Sequence, residues 1–157
     1  MKSESDIKII GIKTDEKLEN NNDALEKTAQ ILLDEGLVKD SYIETVKERE
    51  KAFPTALEFE NYSIAIPHTD SNHVNSDAMV INILEKPVSF EQMATEELYT
   101  DVAIIVMLAI KNKEKQVPYL QALIEIFQDK EKISKLLESE NNDIIEEKFS
   151  KYLKETI

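Results

Sequence analysis

The run Val102-Ala103-Ile104-Ile105-Val106-Met107-Leu108-Ala109-Ile110 contains no polar side chain. A strand with one wet face alternates apolar and polar residues; a strand without that alternation is covered on both faces. The run falls well short of the roughly 20 apolar residues a helix needs to cross a bilayer. It therefore predicts a central strand with a layer on each side. Upstream lie shorter strand signals at Ala78–Leu84, Ser63–Ile66 and the β-branched Ile7–Ile12. Farther out the period changes from strand to helix. Leu25, Thr28, Ala29, Leu32 and Leu33 fall on one helical face; Asp23 with Glu26 is read as the capping box and Gly36 as the stop. Ser41 with Glu44 opens a second helix through about Glu50, and Phe53-Pro54-Thr55 breaks it. On the other side, Leu120, Leu123, Ile124 and Phe127 form a stripe, with Pro118 read as first-turn proline. Two more helices are expected from Asp129 and from near Asp143. Helices at both ends with strands between predict an α/β fold. The expected form is a single domain over residues 1–157, a mixed β-sheet flanked by helices on both faces.

The charge balance narrows the function. Thirty-two acidic residues oppose 19 basic ones, for a formal charge of −13. Nucleic-acid binding rests on clustered Lys and Arg, and so does adhesion to anionic lipid, so neither is expected. The acidity serves solubility or the steering of a basic protein partner. No cysteine is present, which excludes disulfides and a catalytic thiol. Met1 to Asp6 hold no apolar signal core, so a cytoplasmic location without membrane insertion is expected. With two glycines there is no phosphate-cradling loop or dinucleotide fingerprint, and no Gly-x-Ser-x-Gly elbow.

The two histidines sit together in Ser63-Ile64-Ala65-Ile66-Pro67-His68-Thr69-Asp70-Ser71-Asn72-His73-Val74. His68 follows a strand directly. Pro67 fixes its own φ and keeps Ile66 extended, so the imidazole is presented from a stiff backbone. A stiff mount suits a nucleophile that must meet a phosphorus atom in line. Thr69 adds a hydroxyl and an amide beside it. Arg49 and Thr55 reach the same pocket if their helix and loop fold back onto the strand. A guanidinium with hydroxyl and amide donors is equipment for phosphoryl oxygens. An alternative chemistry uses His68, Asp70 and His73 as metal ligands.

Ile64-Ala65-Ile66-Pro67-His68 resembles the signature of the fructose/mannitol-type enzyme IIA family of the bacterial phosphoenolpyruvate-dependent sugar phosphotransferase system. Arg49-Glu50 and Pro54-Thr55 resemble that family's Arg-Glu and Thr positions, and Pro67-His68-Thr69-Asp70 with His73-Val74 looks most like the galactitol branch. The resemblance implies a phosphocarrier that accepts a phosphoryl group from the carrier protein HPr on His68. It passes the group to a IIB component and, through it, serves sugar entry by a membrane IIC component, galactitol being the implied sugar. Arg49 and Thr55 are implied as phosphate-binding residues; Thr69 is added to them for its own hydroxyl and amide beside the imidazole, and no cofactor and no metal are expected. Two positions depart from the family pattern: Thr69 stands where many members have Gly, and Tyr119 where many have a second active-site histidine. Tyr119 and His73 are thus the candidates for a second active-site group, with Tyr119 preferred. The same family implies one alternative role, a regulatory domain that reports phosphorylation state to other proteins.

Overall fold

In this computed structural model, residues 7–95 and 97–157 are described. Five strands form one mixed sheet: β1 (Lys8–Thr14), β2 (Leu57–Glu58), β3 (Ser63–Ala65), β4 (Ala78–Glu91) and β5 (Tyr99–Ala109). Their spatial order is β1-β4-β5-β3-β2. β1 runs parallel to β4 and β3 parallel to β5, whereas β4/β5 and β2/β3 are antiparallel. Helices α1 (Asn21–Asp34) and α2 (Tyr42–Ala52) cover one face; α3 (Lys113–Phe127), α4 (Lys130–Leu137) and α5 (Asn142–Thr156) cover the other. The expected three-layer α/β arrangement is the one found.

β5 is central, as its composition requires. Ile104, Val106 and Leu108 point into the core under α3 to α5, and Ile105, Met107 and Ala109 into the core under α1 and α2. Both strands of the central hairpin extend past the runs that announced them. Beyond Leu84, β4 continues through Glu85, Lys86 and Pro87, which are exposed, to Val88 and Phe90, which are buried. That arm keeps only one face dry, and a register shift between Ile83 and Val88 marks where it leaves the two-sided core.

Three details of the helices differ from the sequence reading. The N-cap of α1 is Asn20, whose side chain accepts the Asp23 N–H at 3.0 Å, while the Asp23 carboxylate reaches back to the Glu19 N–H. The box is therefore Asn20/Asp23, three residues earlier than Asp23/Glu26; the stop at Gly36 stands, with φ +72°. Ser41 occupies the N-cap of α2 but makes no capping bond, because its backbone is already helical and its hydroxyl is turned to His73. Pro118 lies inside α3, which begins at Lys113 behind the cap Asn112. It forfeits one intrahelical bond there instead of occupying the first turn.

Candidate functional site

His68 is carried just past the C-terminal end of β3. The ladder to β5 does not stop with the strand: the Leu108 N–H donates to the Pro67 carbonyl at 3.0 Å. The Leu108 carbonyl in turn accepts the buried Tyr42 hydroxyl from the start of α2. The Pro67-His68 step is therefore clamped from the central strand, and that strand is braced by α2.

The ring itself has one fixed partner. His68 Nδ1 lies 2.8 Å from the Ile66 carbonyl oxygen. A carbonyl can only accept, so Nδ1 carries the proton in the neutral ring and Nε2 keeps its lone pair. Burial pushes the His68 pKa below the ordinary value; the Ile66 bond opposes this, and the Arg49 charge adds to the lowering. The net effect favours a neutral imidazole at pH 7, the form that can attack phosphorus.

Arg49 leaves the last full turn of α2. Its guanidinium stacks over the exposed Phe53 ring at 5.0 Å and stands 3.8 Å from an Asp70 oxygen. Its charge is near enough to act on His68, and it is flanked by an aromatic face and a carboxylate. Thr69 is buried next to His68, and its hydroxyl has no hydrogen-bond partner among the described residues. Thr55 is placed differently from the expectation that it meets phosphate. Its hydroxyl donates to Glu50 Oε1 at 2.8 Å and accepts the Ile66 N–H at 3.0 Å. Both of its capacities are used inside the mount.

The two second-group candidates separate. His73 ends a short 3₁₀ turn (Ser71–His73), and its Nδ1 is 2.7 Å from Ser41 Oγ at the start of α2. It faces the α2 N-terminus while His68 faces Ile66. His68, Asp70 and His73 consequently do not converge, and no group of three His, Asp or Glu side chains suited to a metal occurs among the described residues. Tyr119 is buried in the core under α3, where burial and then the Asp77 charge raise its phenol pKa. Its hydroxyl makes no hydrogen bond among the described residues.

One residue of the site was not read as such from the sequence: Glu50. It is 3% exposed, and its carboxylate accepts both the Thr55 N–H at 2.9 Å and the Thr55 hydroxyl. The signal was present, because Tyr42, Val46 and Glu50 follow one another at i, i+4 and i+8 and form the buried stripe of α2. A carboxylate in such a stripe needs hydrogen-bond partners, since burying a charge without them is costly.

The family model described as "Phosphoenolpyruvate-dependent sugar phosphotransferase system, EIIA 2" matches residues 7–152. The galactitol-specific EIIA component of the phosphotransferase system of Escherichia coli (strain K12) is 28% identical over 122 residues, 78% of this chain and 80% of that protein. The mannitol-specific enzyme IIA component of Staphylococcus aureus (strain N315) is 24% identical over 131 residues, 83% and 85% of the two chains. Among solved structures, the complex of Escherichia coli enzyme IIA for mannitol with phosphorylated enzyme IIB superimposes with a TM-score of 0.70. That match covers 88% of this chain and 94% of that one, at 22% identity, and is a likeness of fold.

Proposed function

Because the chain belongs to the EIIA 2 family of the phosphoenolpyruvate-dependent sugar phosphotransferase system, we propose that His68 is the residue on which it carries the phosphoryl group. The observation that carries this reading is the Nδ1–H bond to the Ile66 carbonyl, which leaves Nε2 as the free lone pair of a ring favoured in its neutral form. Nε2 attacks the phosphorus of phospho-HPr. The Nε2–P bond forms as the donor's N–P bond breaks, and the donor histidine keeps the electron pair. Positive character that develops on the His68 ring is met by the Ile66 carbonyl. Arg49 faces the equatorial oxygens of the group in flight, and the Thr69 hydroxyl supplies a further donor. Thr55 enters as a support of the mount. A IIB component then receives the phosphoryl group on behalf of a membrane IIC component. No described helix is long and apolar enough to cross a membrane, which fits a carrier working in the cytoplasm. The likeness to the galactitol-specific relative supports galactitol as the sugar.

The test is incubation with phosphoenolpyruvate, enzyme I and HPr, followed by intact-mass measurement. The wild type should gain one phosphoryl mass, labile to acid and resistant to base. His68→Ala should gain nothing; a phosphoryl mass on that variant would overturn the assignment. Arg49→Lys keeps charge and loses the fork, and should slow transfer about tenfold, about 1.4 kcal/mol of barrier, with unchanged thermal unfolding.

A further inference from the structure

Four groups form a continuous line from the interior of α2 to the reacting ring. The Glu50 carboxylate accepts the Thr55 N–H at 2.9 Å and the Thr55 O–H at 2.8 Å. With its proton committed to Glu50, the Thr55 oxygen presents a lone pair to the Ile66 N–H at 3.0 Å. The Ile66 carbonyl then holds His68 Nδ1 at 2.8 Å. Ile66 sits past the last β3 residue, where no ladder partner takes its N–H, so the hydroxyl of Thr55 replaces the sheet at that point. We propose that Glu50 is a positioning residue for phosphoryl transfer: through Thr55 its carboxylate holds the Ile66 backbone and thereby the orientation and tautomer of His68. The inference rests on His68 being the phosphoryl acceptor.

The direction of each bond makes the line depend on the charge of Glu50. An ionised carboxylate accepts from both Thr55 donors at once; a protonated one has a single good acceptor oxygen and a hydroxyl in place of the other. Protonation therefore leaves one Thr55 donor poorly held and releases the hydroxyl to turn. The charge lies where it can titrate. Burial drives the Glu50 pKa up to about 7, the two Thr55 bonds oppose the rise, and Glu91 adds to it. A cavity of about 250 Å³ opens beside Glu50, lined by Lys47 and Lys51 from α2, Glu91 from β4 and Tyr99 from β5. The cavity offers protons a route to the carboxylate, and His68 is not among the residues that line it. Lys47 is paired with Glu26, and the other charged side chains lining the cavity beside Glu50 are Lys51 and Glu91.

Glu50→Gln and Thr55→Val break the line at successive links, and Thr55→Ser keeps the hydroxyl. Single-turnover transfer from phospho-HPr is measured from pH 5.5 to 8.5, together with thermal unfolding. At pH 8 Glu50→Gln and Thr55→Val should each be slower by about tenfold, the double variant no slower than either, and Thr55→Ser close to wild type. Below pH 7 the wild-type rate should fall with two protons, from Glu50 and His68, and the Glu50→Gln rate with one. Ring nitrogen shifts of His68 give a second readout that needs no donor. They should show one tautomer, protonated at Nδ1, in the wild type at pH 8 and a mixture of both in Glu50→Gln. A wild-type transfer rate and tautomer in Glu50→Gln would overturn the positioning role. If the wild type accepts no phosphoryl group, the acceptor assignment fails instead, and the tautomer measurement still decides whether Glu50 orients the ring.

Discussion

At two places near the rim of the sheet, a side chain takes the place of a strand. Along β1, α5 supplies the acceptors: Glu146 Oε1 meets the Gly11 N–H at 3.1 Å and Asn142 Oδ1 meets the Lys13 N–H at 2.8 Å. Next to β3, α2 supplies Glu50, which works through Thr55 to hold the Ile66 N–H. The chemical device is the same, a side-chain oxygen on an orphaned backbone amide. The setting differs. Glu146 and Asn142 are exposed, so water can stand in for them, whereas Glu50 is 3% exposed and its hydrogen-bond partners among the described residues are the Thr55 N–H and hydroxyl. An exposed acceptor closes an edge against unwanted strand pairing and does little else. A buried one couples whatever it holds to its own protonation. Only the buried line ends on His68, so the same device is structural at one edge and tied to chemistry at the other.

The sharpest way to break this contrast is to follow stability with pH. The folded state raises the Glu50 pKa from 4.5 to about 7, so between those values the native protein binds a proton that the unfolded chain has released. The stabilising contribution of neutral Glu50 is complete below about pH 4.5 and disappears as pH rises through about 7. The size of the swing is about 3 kcal/mol, at 1.36 kcal/mol per pKa unit. Urea unfolding of wild type and Glu50→Gln across pH 4.5 to 8 should therefore give a difference that changes by about that amount, in favour of the variant as pH rises. A pH-independent difference would put Glu50 in the same class as Glu146. The protein is then least stable where its mount is held best, a cost consistent with a site that needs the ionised form.

At the β1 edge the expected effects are steric and smaller. A Cβ on Gly11 would stand 2.6 Å from the Glu146 amide nitrogen and 2.9 Å from its Cα, both backbone atoms of α5. Gly11→Ala must push α5 away from the strand, and a loss of about 2 kcal/mol is expected from such overpacking. Asn142→Ala exposes the Lys13 amide to water and should cost about 1 kcal/mol. In both variants the tautomer of His68 should be that of the wild type, since the edge shares no hydrogen bond with the mount. A changed tautomer in Gly11→Ala would show that the two edges communicate through the sheet.

The contrast also marks what the chain reveals before folding. The layer order is legible because Val102–Ile110 has no polar face, and the placement of His68 just past a strand because Ser63–Ile66 reads as a strand that Pro67 ends. The extension of β4 beyond Leu84 is not, since Glu85, Lys86 and Pro87 are ordinary loop residues and only Val88 and Phe90 hint at the alternation. The cap of α1 is hard to place from sequence because Asn20-Asn21-Asn22 reads as a turn and any of its side chains can cap; the Asn20 φ of −161° decides it. A sequence shows the Thr55 hydroxyl but not its direction of donation, so the expected phosphate contact differs from the bonds it makes to Glu50 and Ile66. Glu50 is less conspicuous than its neighbour Arg49, and its place in the Tyr42/Val46 stripe is the sequence signal that identifies it.

The smallest effect expected concerns the second histidine. His73 Nδ1 and Ser41 Oγ, 2.7 Å apart, clasp the 3₁₀ turn to the start of α2. Three backbone bonds secure the same turn independently: Lys39 N–H to the His73 carbonyl, His73 N–H to the Asp70 carbonyl and Val74 N–H to the Ser71 carbonyl. The side-chain clasp is exposed, so water replaces either partner at little cost. His73→Ala should lose about 0.5 kcal/mol or less and accept phosphoryl groups at the wild-type rate. The path by which it would matter to His68 runs through Asp70, whose carboxylate stands opposite Arg49. If the clasp positioned Asp70, its loss would let Arg49 move and would alter the pH at which His68 titrates. The measurement is therefore the His68 titration by ring-proton chemical shift, in wild type and His73→Ala. Coincident curves are expected, and a displaced curve would make the turn part of the site that the β1 edge is not.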